Sequence, residues 1–476
     1  RSIYLNSFIH SPNTNSFNAM CATAYDLSRA VRSGDLEWLE GWLEQGWDGS
    51  SWVLYSSDIP CDQDAPADEV TVYRTSLLHK VLEETTTDAL PSILRLLLRH
   101  GADPNLFNEV QETPLHMAAR RPEVGDITVP MLMRAGANIH IRNAVGNTAW
   151  HEWAQSCSTI NLTQEGDDVT RLLARALHVN HGNHRNWTPL HFASCSNHAM
   201  ANHLIQHYGA NIHASTADGQ TPLHLACRYG SVLCVRHLLA NGAYMYVADN
   251  NGRTPFHDAA VGGFLKVTEL CQAALRHHSY SLLNWRVHCV HGTTVLHNAV
   301  SHPSALRVIL SKEAPIQTTD SAGWTAFHYA CWVGNFKSME LLLDKSPDLL
   351  HHKDSKGRTP LHVACFGLPQ SILLLEAGHD VAPLRHAWWT GASKDITANE
   401  RWREAMRSLP LPLTPPSTTT WPAFYWQQQR TIVEWLLQRG AAVLVADEKG
   451  NYPMAYTPDV ETVHMLVLAA VREGLF

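Results

Sequence analysis

The chain has 476 residues, 45% of them apolar, with a formal charge of −8 and an isoelectric point near 6.4. That balance is not the basic one of a nucleic-acid binder. No apolar run reaches the roughly 18 residues needed to cross a bilayer, so the expected partners are proteins or peptides, without nucleic acid or membrane insertion.

Residues 1–72 read as an N-terminal segment. Its start, Arg1 to Phe8, lacks the apolar core of a secretory signal. Two short amphipathic stretches at 24–46 predict a helix pair serving as a cap. An acidic loop follows, with Asp58, Asp62, Asp64, Asp68 and Glu69. From residue 73 the text becomes periodic. The tetrapeptide Thr221-Pro222-Leu223-His224 has close copies beginning at Thr113, Thr188, Thr254 and Thr359, and looser ones at Ser76, Thr148, Thr294 and Thr325. Successive steps are 37, 35, 40, 33, 33, 40, 31 and 34 residues. After each copy come small residues such as Ala118-Ala119 or Ala226-Cys227, then a leucine-rich stretch that closes on Gly-Ala, as at Gly209-Ala210 and Gly242-Ala243.

A period near 33 with this text resembles the ankyrin-repeat family. The resemblance spans 73–378 and resumes in a degenerate closing repeat at 430–476, where Ala455 stands at the motif histidine position. It implies an all-α solenoid of helix-turn-helix units. In the family the motif Thr and His hydrogen-bond at the start of the first helix, and the Ala pair lets the two helices approach. The second helix buries its Leu/Val stripe against the next unit, so stability comes from stacking. Residues 379–429 break the period with a Trp- and Pro-rich insertion that includes Trp388, Trp389, Trp421 and Trp426. Its aromatic content is unlike that of a disordered linker.

Ten cysteines are scattered along the chain. Cys227, Cys331 and Cys365 take the second small position after the motif histidine and are expected to be buried, free thiols, as in a cytoplasmic or nuclear protein. The three His-x-x-Cys pairs this creates follow from repeat grammar. No metal is assigned; His203 and His207, four apart on a second helix, could share one, but no third ligand accompanies them. No cofactor is called for.

Function is expected on the concave side, which the resemblance builds from the finger turns and the first helices. Candidate binding residues there are Arg228, Tyr229, Arg253, Trp324, Trp332, Arg358 and Phe366, joined by Trp388 and Trp389 of the insertion. Arg, Tyr and Trp dominate interface energetics, which points to a partner bearing acidic and apolar groups. No phosphate-cradling loop, Gly-x-Ser-x-Gly or His-Glu-x-x-His is present. The only catalytic candidates are Asp258 and Glu152, carboxylates immediately after motif histidines. The reading is a non-catalytic interaction scaffold. Its alternative is a small-molecule-binding protein or unusual enzyme, with a pocket between the C-terminal repeats and the insertion.

Overall fold

The computed structural model describes residues 26–44 (except 28), 52–55, 73–84, 88–156, 179–276, 289, 292–311, 314–365, 423–457 and 459–473. These are predominantly helical, and the chain divides into two units, Arg1–Ala217 and Asp218–Phe476.

The motif builds each first helix in the same way. Thr113 lies in the extended region as N-cap, and Pro114 takes the first helical position, where a missing N–H costs nothing. The Thr113 backbone N–H donates to His116 Nδ1 at 3.2 Å, and the Thr113 hydroxyl lies 2.8 Å from the same nitrogen. Nδ1 is therefore an acceptor, which leaves the proton on Nε2. Nε2 then reaches the Asn147 carbonyl of the next turn at 3.0 Å. Within their own units His79, His224 and His297 repeat the step, to the carbonyls of Glu112, Arg253 and Trp324 at 2.8 to 3.0 Å. Each of these four motifs thus caps its own helix and ties its repeat to the following one, whereas His328 Nε2 is buried without a hydrogen-bond partner. Burial holds these imidazoles neutral, lowering His79 and His151 to about 4 and His328 to about 3.

In the first unit α1 (Leu36–Glu44) buries Leu39 and Leu43. Strands β1 (Trp52–Tyr55) and β2 (Tyr73–Ser76) pair antiparallel, Trp52 opposite Ser76. This ribbon is an addition to the all-helical expectation, written in short β-branched and aromatic runs. The acidic loop between its strands lies outside the described residues. Then follow α2 (Leu77–Glu84), α3 (Leu90–Arg99), α4 (Pro114–Arg120), α5 (Pro122–Arg134), α6 (Ala149–Ser156), α7 (Pro189–Ser196) and α8 (His198–Tyr208).

The second unit runs through α9 (Pro222–Arg228), α10 (Val232–Ala240), α11 (Pro255–Gly262), α12 (Leu265–Arg276), α13 (Val295–Ala299), α14 (Pro303–Leu310), α15 (Ala326–Val333) and α16 (Phe336–Leu343). Residues 360–365 form the next first helix. Its hairpin partner is α17 (Ala423–Gln438). The Gln429 amide donates to the Ala364 and Cys365 carbonyls. Trp435 meets the Phe336 ring at 6.3 Å and Arg439 reaches Glu340 at 3.5 Å, which sets α17 beside α16 in the stack. Residues 423–429, read from sequence as the end of the insertion, are therefore the opening turns of a repeat helix. A 3-10 turn (Pro453–Tyr456) and α18 (Val460–Arg472) close the unit.

Cys227, Cys331 and Cys365 are at most 1% exposed and unbridged. They fill the small positions as expected, and burial pushes their thiols up. Cys227 and Cys271 place their sulfurs 3.5 Å apart.

Candidate functional site

Three positions of each repeat correspond to the concave side that the ankyrin resemblance implies, and are termed inward: the last residue of the finger turn, the residue after the motif histidine, and the residue four after that histidine. The fingers are closed by their own hydrogen bonds. An Asp or Asn at the start of most turns accepts backbone N–H groups through one side-chain oxygen, as Asp354 does from Lys356 and Arg358 at 2.9 and 2.8 Å. Cys289 occupies that position in one finger of the second unit, where the backbone turn alone is kept.

In the second unit the inward positions bring together Trp324, Tyr329, Trp332 and Arg358, all partly exposed. Trp324 meets Trp332 at 6.4 Å and Tyr329 at 5.3 Å, both edge to face. The Arg358 guanidinium lies 5.8 Å from the Trp324 ring. Two aspartates hold the polar tips of this group. Trp324 Nε1 donates to Asp354 Oδ2 at 3.0 Å and the Tyr329 hydroxyl to Asp320 Oδ2 at 2.8 Å. Arg358 Nε donates to the same Asp354 oxygen at 2.8 Å. Asp354 is held below the ordinary carboxylate range by Arg358 and two backbone N–H groups, which outweigh its burial. The result is an oriented aromatic floor.

The other sequence candidates have different places. Arg253, expected as an exposed finger residue, is 1% exposed. Its Nε and Nη2 donate to Asp249 Oδ2 at 3.2 and 3.1 Å. It braces its own finger and has almost no surface to offer, unlike Arg358, which makes the same pairing with Asp354 but keeps 15% of its side chain exposed. Arg228 is mostly covered and donates from Nη2 to the fully buried Asp258 at 2.7 Å, joining α9 to α11. Tyr229, the next residue, is 54% exposed. Phe366, Trp388 and Trp389 lie outside the described residues. His203 and His207 do stand together, with ring centroids 4.6 Å apart, yet no group of three metal-ligating side chains occurs among the described residues.

Glu152 belongs to a site in the first unit with Arg120, which its helix position also marks in the sequence, and with other members that sequence reasoning passed over. A hollow of about 730 Å³ is lined by Val110, Glu112, Arg120, Asn143, Ala144, Val145, Asn147, Glu152, Gln155 and Ser156. Arg120 donates to Glu152 Oε2 from Nε and Nη2 at 3.2 and 3.1 Å, and also pairs with Glu112. The amides of Asn147 and Asn143 donate to Glu152 Oε1 at 2.9 and 3.3 Å. In the following repeat Trp187 and Phe192 meet at 5.1 Å. The signal was available: an Arg four after one motif histidine faces an acid one after the next, as in Arg120–Glu152 and Arg228–Asp258.

Stacked helix hairpins, a capping Thr and His at most first helices and finger turns bonded across repeats define a class, the helical repeat solenoid. Residues 199–274, 268–353 and 296–383 each match the model for ankyrin repeats (3 copies). Residues 199–383 therefore carry ankyrin repeats. The chain is 41% identical over 78 residues to the SMC5-SMC6 complex localization factor protein 1 of Bos taurus, covering 15% of this chain and 7% of that one. It is 38% identical over 80 residues to the protein phosphatase 1 regulatory subunit 27 of Mus musculus, covering 16% of this chain and 51% of that protein. The chain thus spans about half or less of the curated relatives it matches.

Proposed function

We propose that this chain is a non-catalytic interaction module that holds a partner peptide or domain on the inward face of its repeats. The observation that carries the reading is the aromatic floor of Trp324, Tyr329 and Trp332. Its rings are solvent-accessible in part, while the polar tips of Trp324 and Tyr329 are already bonded to Asp354 and Asp320. Such rings supply area without rotamer loss on binding, which is what binding hot spots require. One relative is a phosphatase regulatory subunit by name, in keeping with a role without chemistry of its own. Free, buried thiols fit a reducing compartment, cytoplasm or nucleus.

The guanidinium groups alter the expected partner. Arg228, Arg253 and Arg358 each face a carboxylate within 3.1 Å, so the inward surface has little unmatched positive charge to attract an acidic partner. Selection of phage-displayed 12-residue peptides on the whole chain tests the reading. Peptides that bind should lose about tenfold or more in affinity when Trp324 and Trp332 are both replaced by Ala, with helix content retained. Undiminished binding would place recognition elsewhere.

A further inference from the structure

Resting on the inward-face reading just given, we infer that the hollow of the first unit takes a basic side chain from an extended partner segment. An apolar side chain two or three residues along that segment rests on Trp187 and Phe192. The hollow contains two carboxylates, Glu112 and Glu152, against one guanidinium, Arg120. The amides of Asn143 and Asn147 add donors but no charge. One negative charge is left over, and among the described residues nothing donates to Glu112 Oε2. In a chain of net charge −8 this favours encounter with a cationic segment.

The rim has the matching shape. Val110 and Val145, at successive fingertips, are 58% and 56% exposed. They form two apolar walls beside the carboxylates, suited to the methylene stem of Lys or Arg while its charged head reaches inward. The aromatic pair lies one repeat further on, since α6 packs between α4 and α7. Neighbouring helices stand roughly 8–10 Å apart and an extended chain advances about 3.3 Å per residue. The two subsites are therefore about two or three residues apart along a strand-like ligand. Trp187 and Phe192 are each partly exposed, leaving ring surface for that second side chain.

The peptide selection above also tests this inference. Enriched sequences should carry Arg or Lys two or three positions from an aromatic or large aliphatic residue. For such peptides Glu112→Gln should weaken binding about three- to tenfold, the worth of one charge pair near the surface. Glu112→Gln keeps an oxygen for Arg120. Val145→Lys, which adds a positive charge at an exposed position where folding is indifferent, should weaken it by a similar factor, and Trp187→Ala should weaken it independently. Enrichment of acidic peptides, no enrichment at all, or wild-type affinity in both Glu112→Gln and Val145→Lys would overturn the inference. Peptides that ignore these changes but are lost on replacing Trp324 and Trp332 would refute it while leaving the inward-face reading intact.

Discussion

Arg228 is the residue on which an interface role and a structural role give opposite expectations. Its guanidinium reaches Asp258 from Nη2 at 2.7 Å, with the Asp258 side chain fully buried and that of Arg228 18% exposed. The second carboxylate oxygen of Asp258 is buried without a partner, so Arg228 is its main source of compensation. Replacing Arg228 by Met would leave that charge without its cation. Loss of one member of a buried ion pair costs about 3–5 kcal/mol. Residual solvent at Arg228 puts the expectation near the lower end, about 3 kcal/mol. Removing both charges in the isosteric double change Arg228→Met/Asp258→Leu should recover to within about 1 kcal/mol of the original protein. A repeat array need not unfold in one step, so the measurement is local: hydrogen exchange by mass spectrometry over residues 222–262, which reports the opening free energy of α9 and α11. Unchanged exchange in Arg228→Met with loss of a bound peptide would refute this account and restore Arg228 to the interface. A double change as damaging as the single one would equally refute it.

Acid should weaken the stack. The motif histidines accept a cap donor at Nδ1, a backbone N–H in all but His79, which meets the Ser76 hydroxyl, so protonation there breaks the cap; with folded values near 4 for His79 and His151 and an unfolded value near 6.5, the unfolded chain binds the extra protons between those limits. Stability should then fall by about 1.4 kcal/mol per pH unit per such histidine from roughly pH 6.5 down to roughly pH 4, and melting temperatures equal at pH 7.5 and pH 5 would contradict it. Cys227, Cys331 and Cys365, buried with thiols pushed up, should resist maleimide in the native state and react fully in urea, as peptide mapping would show; rapid native labelling of these three would argue that their helices open readily. Gln429, which holds the Cys365 carbonyl, is six residues into α17, about 9 Å along its axis. Replacing residues 366–422 by a linker of about eight Gly and Ser residues should therefore keep α17 seated, with helix content preserved and Trp435 still shielded from quenchers; quenching at the rate of free indole would mean that α17 is not the partner of the 360–365 helix.

The repeat was legible in the chain because its determinants are local. A Thr capping its own helix through a His three residues later, a Pro at the first helical position and Gly where φ must be positive all act within a few residues. Repetition then dictates stacking, since no hairpin covers its own apolar side. The small position after the motif histidine told the same truth for Cys227, Cys331 and Cys365. What only the tertiary structure decided was the fate of side chains whose partners lie in another turn or another repeat. Arg228 and Arg120 look like free surface in a helix, until Asp258 and Glu152 arrive 30 and 32 residues later. Arg253 turned inward onto Asp249, whereas Trp324, Trp332 and Arg358 gathered as expected, because aspartates in two successive fingers hold that group. The hollow around Glu112 has no motif of its own, being made where two fingers and two first helices meet. The place of α17 was likewise hidden: Asp354 and Asp447 start successive fingers 93 residues apart. A helix and its partner can be separated in sequence by any length that their packing tolerates, because loop closure grows more costly only with the logarithm of length.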